Sequence, residues 1–223
     1  MIKIEKTHVV GFEDAIRGAR NPMNSHVRSD SFYTHLTDCE NGNTINASFY
    51  IGDNDLDLMI RLSNAGPDHA KYRRMIAVYV DITAPFYWWK EFDTYKVGTV
   101  ANSCSTMHKI HDKPFTLSDF SHEHLYPVSK NHLAETILLL ERFRKRFNES
   151  KDKSYWDQMI QLLPMSYNQK RTVMLNYEVL ANMYKSRKNH KLNEWRELCK
   201  WIEELPYSEL ITGEKKVEED YHV

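Results

Sequence analysis

Glycine and proline are scarce, seven of each in 223 residues, which excludes a collagen-like or low-complexity chain. Cysteine is scarcer. Cys39, Cys104 and Cys199 form no CxxC pair and no even framework, a usage that suits a reducing compartment. No stretch approaches the roughly eighteen apolar residues of a membrane span, and the opening "MIKIEKTHVV" has no apolar core or cleavage pattern. The expectation is a soluble, cytoplasmic protein with no membrane contact. An excess of one charge is missing too. With 30 basic against 31 acidic residues there is no electrostatic footprint for nucleic acid, so any phosphate must be held by a few placed cations. What remains is 41% hydrophobic and 12% aromatic, the balance of a globular chain long enough for one sizeable core.

The periodicities predict an α+β fold. Ile2 and Ile4 alternate with Lys3 and Glu5 as in a strand, and "RMIAVYVDIT" places Ile76, Val78, Val80 and Ile82 on one strand face. Between them come a short helix, a polar loop around Asn21-Pro22, and a helix through Leu56, Met59, Ile60 and Leu62 that stops at Gly66. A helix restarts at Pro85 with Trp88, Phe92 and Tyr95 as its stripe, and a polar, His-rich segment follows over 108–127. "SKNHLAETILLLERFRKRF", "SYWDQMIQLLP", "NQKRTVMLNYEVLANMYKSRK" and "KLNEWRELCKWIEEL" read as four further helices. No linker interrupts the pattern. The expected organisation is a single domain over 1–212 with a small mixed or antiparallel sheet, a helical C-terminal half, and a flexible tail over 213–223.

Two segments break these patterns. "WWKEFDTYKVGTVANSCSTMH" begins amphipathic and then runs through small or polar residues that a core does not need. Read as one helix, 170–188 puts Val173, Asn176, Leu180, Met183, Tyr184 and Arg187 on a single apolar stripe, with Asn176 and Arg187 about 16 Å apart. A buried amide and guanidinium need partners. Either Asn176 caps a neighbouring helix and Arg187 pairs with a carboxylate such as Glu194, or the two face a ligand. A guanidinium fork suits a phosphate or a planar base edge. "HKIH" (108–111) and "HEH" (122–124) offer imidazoles for a metal, against the alternative of ordinary polar loops. Cys104, four residues before His108, is a nucleophile if that imidazole acts as its base, and a small buried thiol otherwise.

The two odd segments together resemble the flavin-dependent thymidylate synthases, whose central motif is RHR-x-x-S-x-N-E-x-S-x-R-Y. "VDITAPFYWWKEFD" is similar to the strand and Pro-started helix preceding it. The RHR triplet falls on Thr94, Tyr95 and Lys96, and the next Ser on Thr99. With one inserted residue, Asn102 takes the Asn, Ser103 the Glu, Ser105 the second Ser, Met107 the Arg and His108 the Tyr. Beyond Pro164, the family pattern N-x-R-x-x-x-N-x-x-x-x-R falls without a gap on "NYEVLANMYKSR", with Asn176, Asn182 and Arg187 kept and Glu178 where the first Arg stands. Ile160 replaces the family Arg four residues before the Pro. The likeness spans residues 56–110 and 155–196.

The resemblance implies a homotetramer binding FAD and dUMP between subunits, with NADPH as reductant and methylenetetrahydrofolate as carbon donor. It implies that Lys96, Thr99, Asn102, Asn176 and Asn182 bind the flavin, and that Ser103, Ser105, His108 and Arg187 bind the pyrimidine nucleotide. No enzyme cysteine need attack the base. The departures remove charge: each charge-assisted bond lost at a buried site is worth about 1.5–3 kcal/mol. Lys90, Arg73, Arg74 and Lys109 stand nearby as spare cations. The expected activity is thymidylate synthesis or a related C5 modification of a uracil-type base. The alternatives are a nucleotide-binding or sensor protein that kept the scaffold without catalysis, and a His-based metal enzyme.

Overall fold

A computed structural model describes residues 1–37 and 44–213; Cys39 and the expected tail beyond Gly213 lie outside them. The element order is β1 (Lys3–Val10), α1 (Phe12–Arg20), β2 (Phe32–Thr37), β3 (Thr44–Tyr50), α2 (Asp53–Asn64), β4 (Ala77–Pro85), α3 (Phe86–Phe92), β5 (Val100–Ser103), α4 (Thr106–Lys109), α5 (Pro127–Ser150), α6 (Lys153–Leu162), β6 (Asn168–Asn176), α7 (Tyr177–Arg187), α8 (Asn193–Glu204) and α9 (Glu209–Thr212). Short 3₁₀ turns, among them Ala70–Met75, fill the connections. The fold is α+β as the periodicity predicts.

One sheet, in the order β1-β4-β6-β5, is antiparallel throughout, and β2 and β3 form a separate antiparallel pair. β4 forms because its β-branched residues repeat at a spacing of two, and Val78, Val80, Ile82 and Ala84 all face the core. In register with them on β6 stand Leu175, Val173, Arg171 and Gln169. The opposite face carries Tyr79, Asp81 and Thr83 beside Met174, Thr172 and Lys170. Helices cover the first face. Trp88, Trp89 and Phe92 of α3, Leu180 and Met183 of α7, and Trp195, Leu198 and Ile202 of α8 meet there. The aromatic pairs, such as Trp88 on Trp195 at 4.9 Å between centroids, each add about 0.5–1.5 kcal/mol beyond burial. A second core joins α5 and α6 to the 110–120 segment through Ile110, Phe115, Phe120, Leu140 and Met159. The His-rich segment is thus anchored by its apolar residues.

The single helix expected over 170–188 is two elements. Residues 168–176 pair with β4 along their whole length, and the helix begins only at Tyr177. Asn176 has extended dihedrals (φ −130°, ψ 169°), so it ends the strand and caps the helix at once. The helical stripe was an accident of spacing: residues 173, 176 and 180 satisfy a period of 3.6, while Val173 and Leu175 equally satisfy a period of two. Likewise, the small polar run after Gly98 becomes the edge strand β5, which pairs with Val173 and its neighbours on β6.

The loop between α1 and β2 is held by one buried ion pair. Arg20, 4% exposed, donates through Nε to Asp55, which is fully buried at the start of α2. Arg20 also donates to the carbonyls of Ser25 (3.1 Å) and Arg28 (3.0 Å). Asp55 Oδ2 accepts from the hydroxyls of Ser29 (2.7 Å) and Ser31 (2.6 Å). Burial raises the Asp55 pKa, but the bonds from Ser31, Ser29 and Arg20 outweigh it, so the carboxyl stays below its usual range. Asp55→Ala leaves a buried guanidinium without its counter-charge and is expected to lose about 3–5 kcal/mol, read from the denaturant midpoint. With a lowered folded-state pKa, the stabilisation from Asp55 is complete above the ordinary carboxylate range and disappears as pH falls through the folded value. The wild-type stability–pH curve should therefore fall more steeply at acid pH than that of the variant.

Candidate functional site

The site region is built outward from α3. Pro85 supplies an extended N-cap, and the next turn drives Trp88 and Trp89 inward. This leaves Glu91 on the flank of the helix, facing α7 and α8. Its Oε2 accepts from Arg187 Nη1 at 2.8 Å and Trp195 Nε1 at 2.9 Å, with His190 Nε2 3.5 Å away. Arg187 also donates through Nε to the Tyr95 hydroxyl at 3.0 Å, and its guanidinium lies 4.6 Å from the Trp195 ring centre. Arg187 is 19% exposed and Glu91 35%. The inward arginine therefore has its counter-charge, but from Glu91 and not Glu194. Glu194 accepts instead from the Tyr87 hydroxyl, whose pKa is raised by burial and by that carboxylate.

Asn176 turns out to be the cap that the sequence offered as one alternative: its Oδ1 accepts from Val179 N–H at 3.0 Å. The chain passes close over it. Gly98 adopts φ +80°, and a Cβ there would sit 2.9 Å from Asn176 Nδ2 and 3.2 Å from Val179 Cγ2. Only glycine fits both constraints. Next to it, Thr99 Oγ1 is buried without a hydrogen-bond partner among the described residues. Thr99 and Lys96, together with Phe92, Tyr95 and Ala101, line a cleft of about 350 Å³ on the helical face of the sheet. Neither Asn176 nor Arg187 lines it: Asn176 lies against Gly98, and Arg187 bonds the hydroxyl of Tyr95, which does.

A second cleft of about 510 Å³ opens on the other face, between α4, the 110–119 segment and the start of β6. Ser105 lines it, as do Cys104, Lys109, Lys113, Tyr167 and Lys170. The Cys104 backbone is pinned from both sides, its N–H to Lys170 O (2.9 Å) and its carbonyl to Gln169 Nε2 (3.0 Å). Burial, with Asp119 and Cys104 adding to it, pushes the Tyr167 phenol up to about 12, so it remains a donor at neutral pH. Cys104 is exposed, not the buried thiol of the simpler reading; the buried one is Cys199, raised by burial to about 11.

The residues expected to form one cradle are divided between the two clefts and the two faces of β5. Lys96 and Thr99 share the smaller cleft and Ser105 lines the larger. Asn102 pairs with Thr172, on the open face, and Ser103 with Arg171, on the helical one. His108 and Asn182 are exposed and line neither cleft. His108 is tied by its N–H to Ser105 Oγ at 3.2 Å, an N-cap of α4. Arg73 is not a spare cation: it pairs with Glu178 at 2.9 Å. Arg171 pairs with Asp93 at 2.7 Å. The histidines disperse. His111 packs on Phe147, His122 bonds the Phe120 carbonyl, and His124 bonds Asn193. Among the described residues no group of three or more His, Cys, Asp or Glu is placed to hold a metal ion. Glu91, Lys113, Tyr167 and Lys170 escaped the sequence reading. The period-two pattern of "QKRTVML" was the available signal for Lys170; nothing local marks the other three.

No family model matches the sequence, and no curated protein matches it. Solved structures do. A crystal structure of thymidylate synthase X from Helicobacter pylori with FAD and dUMP aligns over 95% of this chain and 98% of that one, with a TM-score of 0.67 and 18% identity. A second structure of the flavin-dependent enzyme from that organism, also with FAD and dUMP, aligns over 94% and 98%, again with a TM-score of 0.67 and 18% identity. The UMP/dUMP methylase PolB from Streptomyces cacaoi, bound with 5-Br UMP, aligns over 93% and 92% with a TM-score of 0.58 and 11% identity. This chain has the flavin-dependent thymidylate synthase fold. Among the described residues no helix is long and apolar enough to cross a membrane.

The Gly98–Asn176 contact makes a testable pair. Gly98→Ala is expected to destabilise by roughly 1–3 kcal/mol, from the left-handed backbone and the crowded amide together. Asn176→Ala should lose about 1 kcal/mol as a cap. In a double-mutant cycle read by denaturant unfolding, the Gly98→Ala penalty should shrink when Asn176 is already Ala.

Proposed function

We propose that the protein binds a pyrimidine nucleotide together with a flavin, and modifies C5 of a uracil-type ring. The observation that carries this reading is the extent of the fold match, nearly the whole of both chains, to an enzyme crystallised with FAD and dUMP. The gap-free register of Asn176, Asn182 and Arg187 supports it from the sequence side.

The residues present fit the neutral edge of a heterocycle better than they fit a naked anion. Among the described residues Thr99 Oγ1 is a buried hydroxyl without a partner at the smaller cleft, and the neighbouring guanidinium is already neutralised by Glu91. A flavin or pyrimidine ring offers the mixed donors and acceptors that such groups need. In this reading Lys96, Thr99, Asn102, Asn176 and Asn182 hold FAD, and Ser103, Ser105, His108 and Arg187 hold the nucleotide. When bound, the flavin supplies hydride; NADPH and methylenetetrahydrofolate are the co-substrates of the proposed reaction. The chain's own groups position and polarise. Glu91 and Trp195 keep the Arg187 fork in one orientation, so its remaining donors are fixed before a ligand arrives. Asn102, His108 and Asn182 are exposed in the single chain. Ser105 and Arg187 stand on opposite faces of the sheet within one chain, so a site completed between subunits of a homotetramer in the cytoplasm, with Ser105 from one subunit and Arg187 from another, would give all of these residues their ligand contacts.

A second reading, binding without catalysis, has a specific observation behind it. Arg171 and Arg187 are each bound by a carboxylate of the same chain, and the arginine triplet of the family motif is Thr94, Tyr95 and Lys96 here. Two measurements separate the readings. Purified protein incubated with FAD should acquire the visible absorbance of bound oxidised flavin; no uptake would remove the flavin from the proposal. With dUMP, calorimetry should show binding, and C5-tritiated deoxyuridylate should release tritium. Binding without release would favour the non-catalytic reading.

A further inference from the structure

Resting on the reading that the site is completed between subunits, we infer that the outer edge of β5 pairs antiparallel with the β5 of a second copy, joining two four-stranded sheets into one of eight strands. The sheet has two outer edges, β1 and β5, and the sequence treats them differently. β1 carries the charges of Lys3, Glu5 and Lys6, its register shifts between Glu5 and His8, and Lys6 there adopts φ +55°. Its Thr7 hydroxyl is engaged by Trp201 Nε1 at 3.0 Å. Charge, a bulge and a covering side chain are devices that keep an edge from recruiting another strand. β5 has none of them. Val100, Ala101, Asn102 and Ser103 are uncharged, keep an unbroken register with β6 and are all exposed.

The groups on that edge follow from the ladder. Cys104 N–H donates to Lys170 O at 2.9 Å, and Ser103 pairs with Arg171, so Cys104 and Lys170 form a bonded pair. Antiparallel alternation then turns Asn102 and Val100 toward β6 and leaves the N–H and C=O groups of Ala101 and Ser103 on the outer edge. Among the described residues no strand pairs with that edge. It is self-complementary. With a two-fold axis at Asn102, Ala101 of each copy stands opposite Ser103 of the other, and the two exchange reciprocal N–H···O=C bonds. Residues directly opposite point to the same face. Ala101, beside Val173 on the helical face, lines the smaller cleft, so the partner's Ser103 side chain arrives at the border of that cleft. There Thr99 Oγ1 is buried without a partner among the described residues. Ser103 lines neither cleft of its own chain, and through this pairing each copy supplies it to the other.

Two variants of the full chain test the pairing. Across the axis the two Asn102 residues form a non-bonded pair with Cα atoms about 4.5 Å apart, within reach of a disulfide. In a Cys39→Ser/Cys104→Ser background, where Cys199 is buried, Asn102→Cys should cross-link two chains under mild oxidant. Glu149→Cys, at the exposed end of α5, serves as the collision control. Ala101→Pro removes an outward donor and no bond to β6, so circular dichroism should be unchanged while sedimentation shows pairing weakened at least about tenfold. Cross-linking of Asn102→Cys no faster than the control, or undiminished association of Ala101→Pro, would overturn the inference. FAD uptake and dUMP calorimetry on the wild type keep the two readings apart. A wild-type protein that binds dUMP as a monomer ends the pairing and leaves the nucleotide reading intact. Cross-linked pairs that take up neither FAD nor dUMP support the pairing and end that reading.

Discussion

The nine-residue antiparallel ladder between β4 and β6 is the constraint on which the rest of the molecule depends. Its register sends Val78, Val80 and Ile82 to one face with Val173 and Leu175, and Asp81 and Thr83 to the other with Thr172 and Lys170. A slip of one residue would exchange the two sets and place a carboxylate and an ammonium among the tryptophans. The ladder also decides where α7 begins. Asn176 pairs with Ala77 as the last residue of the strand and caps the helix with its side chain, so strand length and helix start are one decision. From that start follow the approach of Gly98 to Asn176 and the position of Arg187, three turns on, beside Glu91.

A second regularity is that the inward arginines have carboxylates of their own. Arg20 has Asp55, Arg73 has Glu178, Arg171 has Asp93 and Arg187 has Glu91. Glu178 stands where the resembled family has an arginine, and it has become the partner of a cation instead of a ligand-facing cation itself. Desolvating an unpaired guanidinium is costly, so a helical face packed with aromatics tolerates these groups only as pairs. The consequence is electrostatic. Positive charge on the helical face sits in largely buried pairs, whereas the paired lysines of the open face are more exposed to solvent.

Much of the fold was legible locally. The alternation of "AVYVDIT", the proline before "FYWWKEF" and the amphipathic runs of α5, α6 and α8 each pointed to the element that forms. The misreading of 170–188 came from a stretch whose apolar residues satisfy two periods at once, and pairing with β4, nearly ninety residues away in sequence, broke the tie. Asn176 and Arg187 were recognisable as polar groups out of place. Their partners were not, because Val179, Glu91 and Tyr95 are chosen by how α3 packs on α7.

By itself, then, the sequence determined the α+β composition, the inward polar residues, the scarcity of free positive charge and the register of a flavin-dependent thymidylate synthase pattern. These depend on residue type and on spacings of two to four, which neighbours alone can set. Only the tertiary structure decided that the supposed cradle is an edge strand with two clefts on opposite faces, and that Arg187 is held by Glu91. It also decided that Lys170 of β6 borders the same cleft as Lys109 and Lys113. Those facts follow from strand pairing and helix packing between residues far apart in the chain, where the stabilisation comes from burial and register and leaves no local mark.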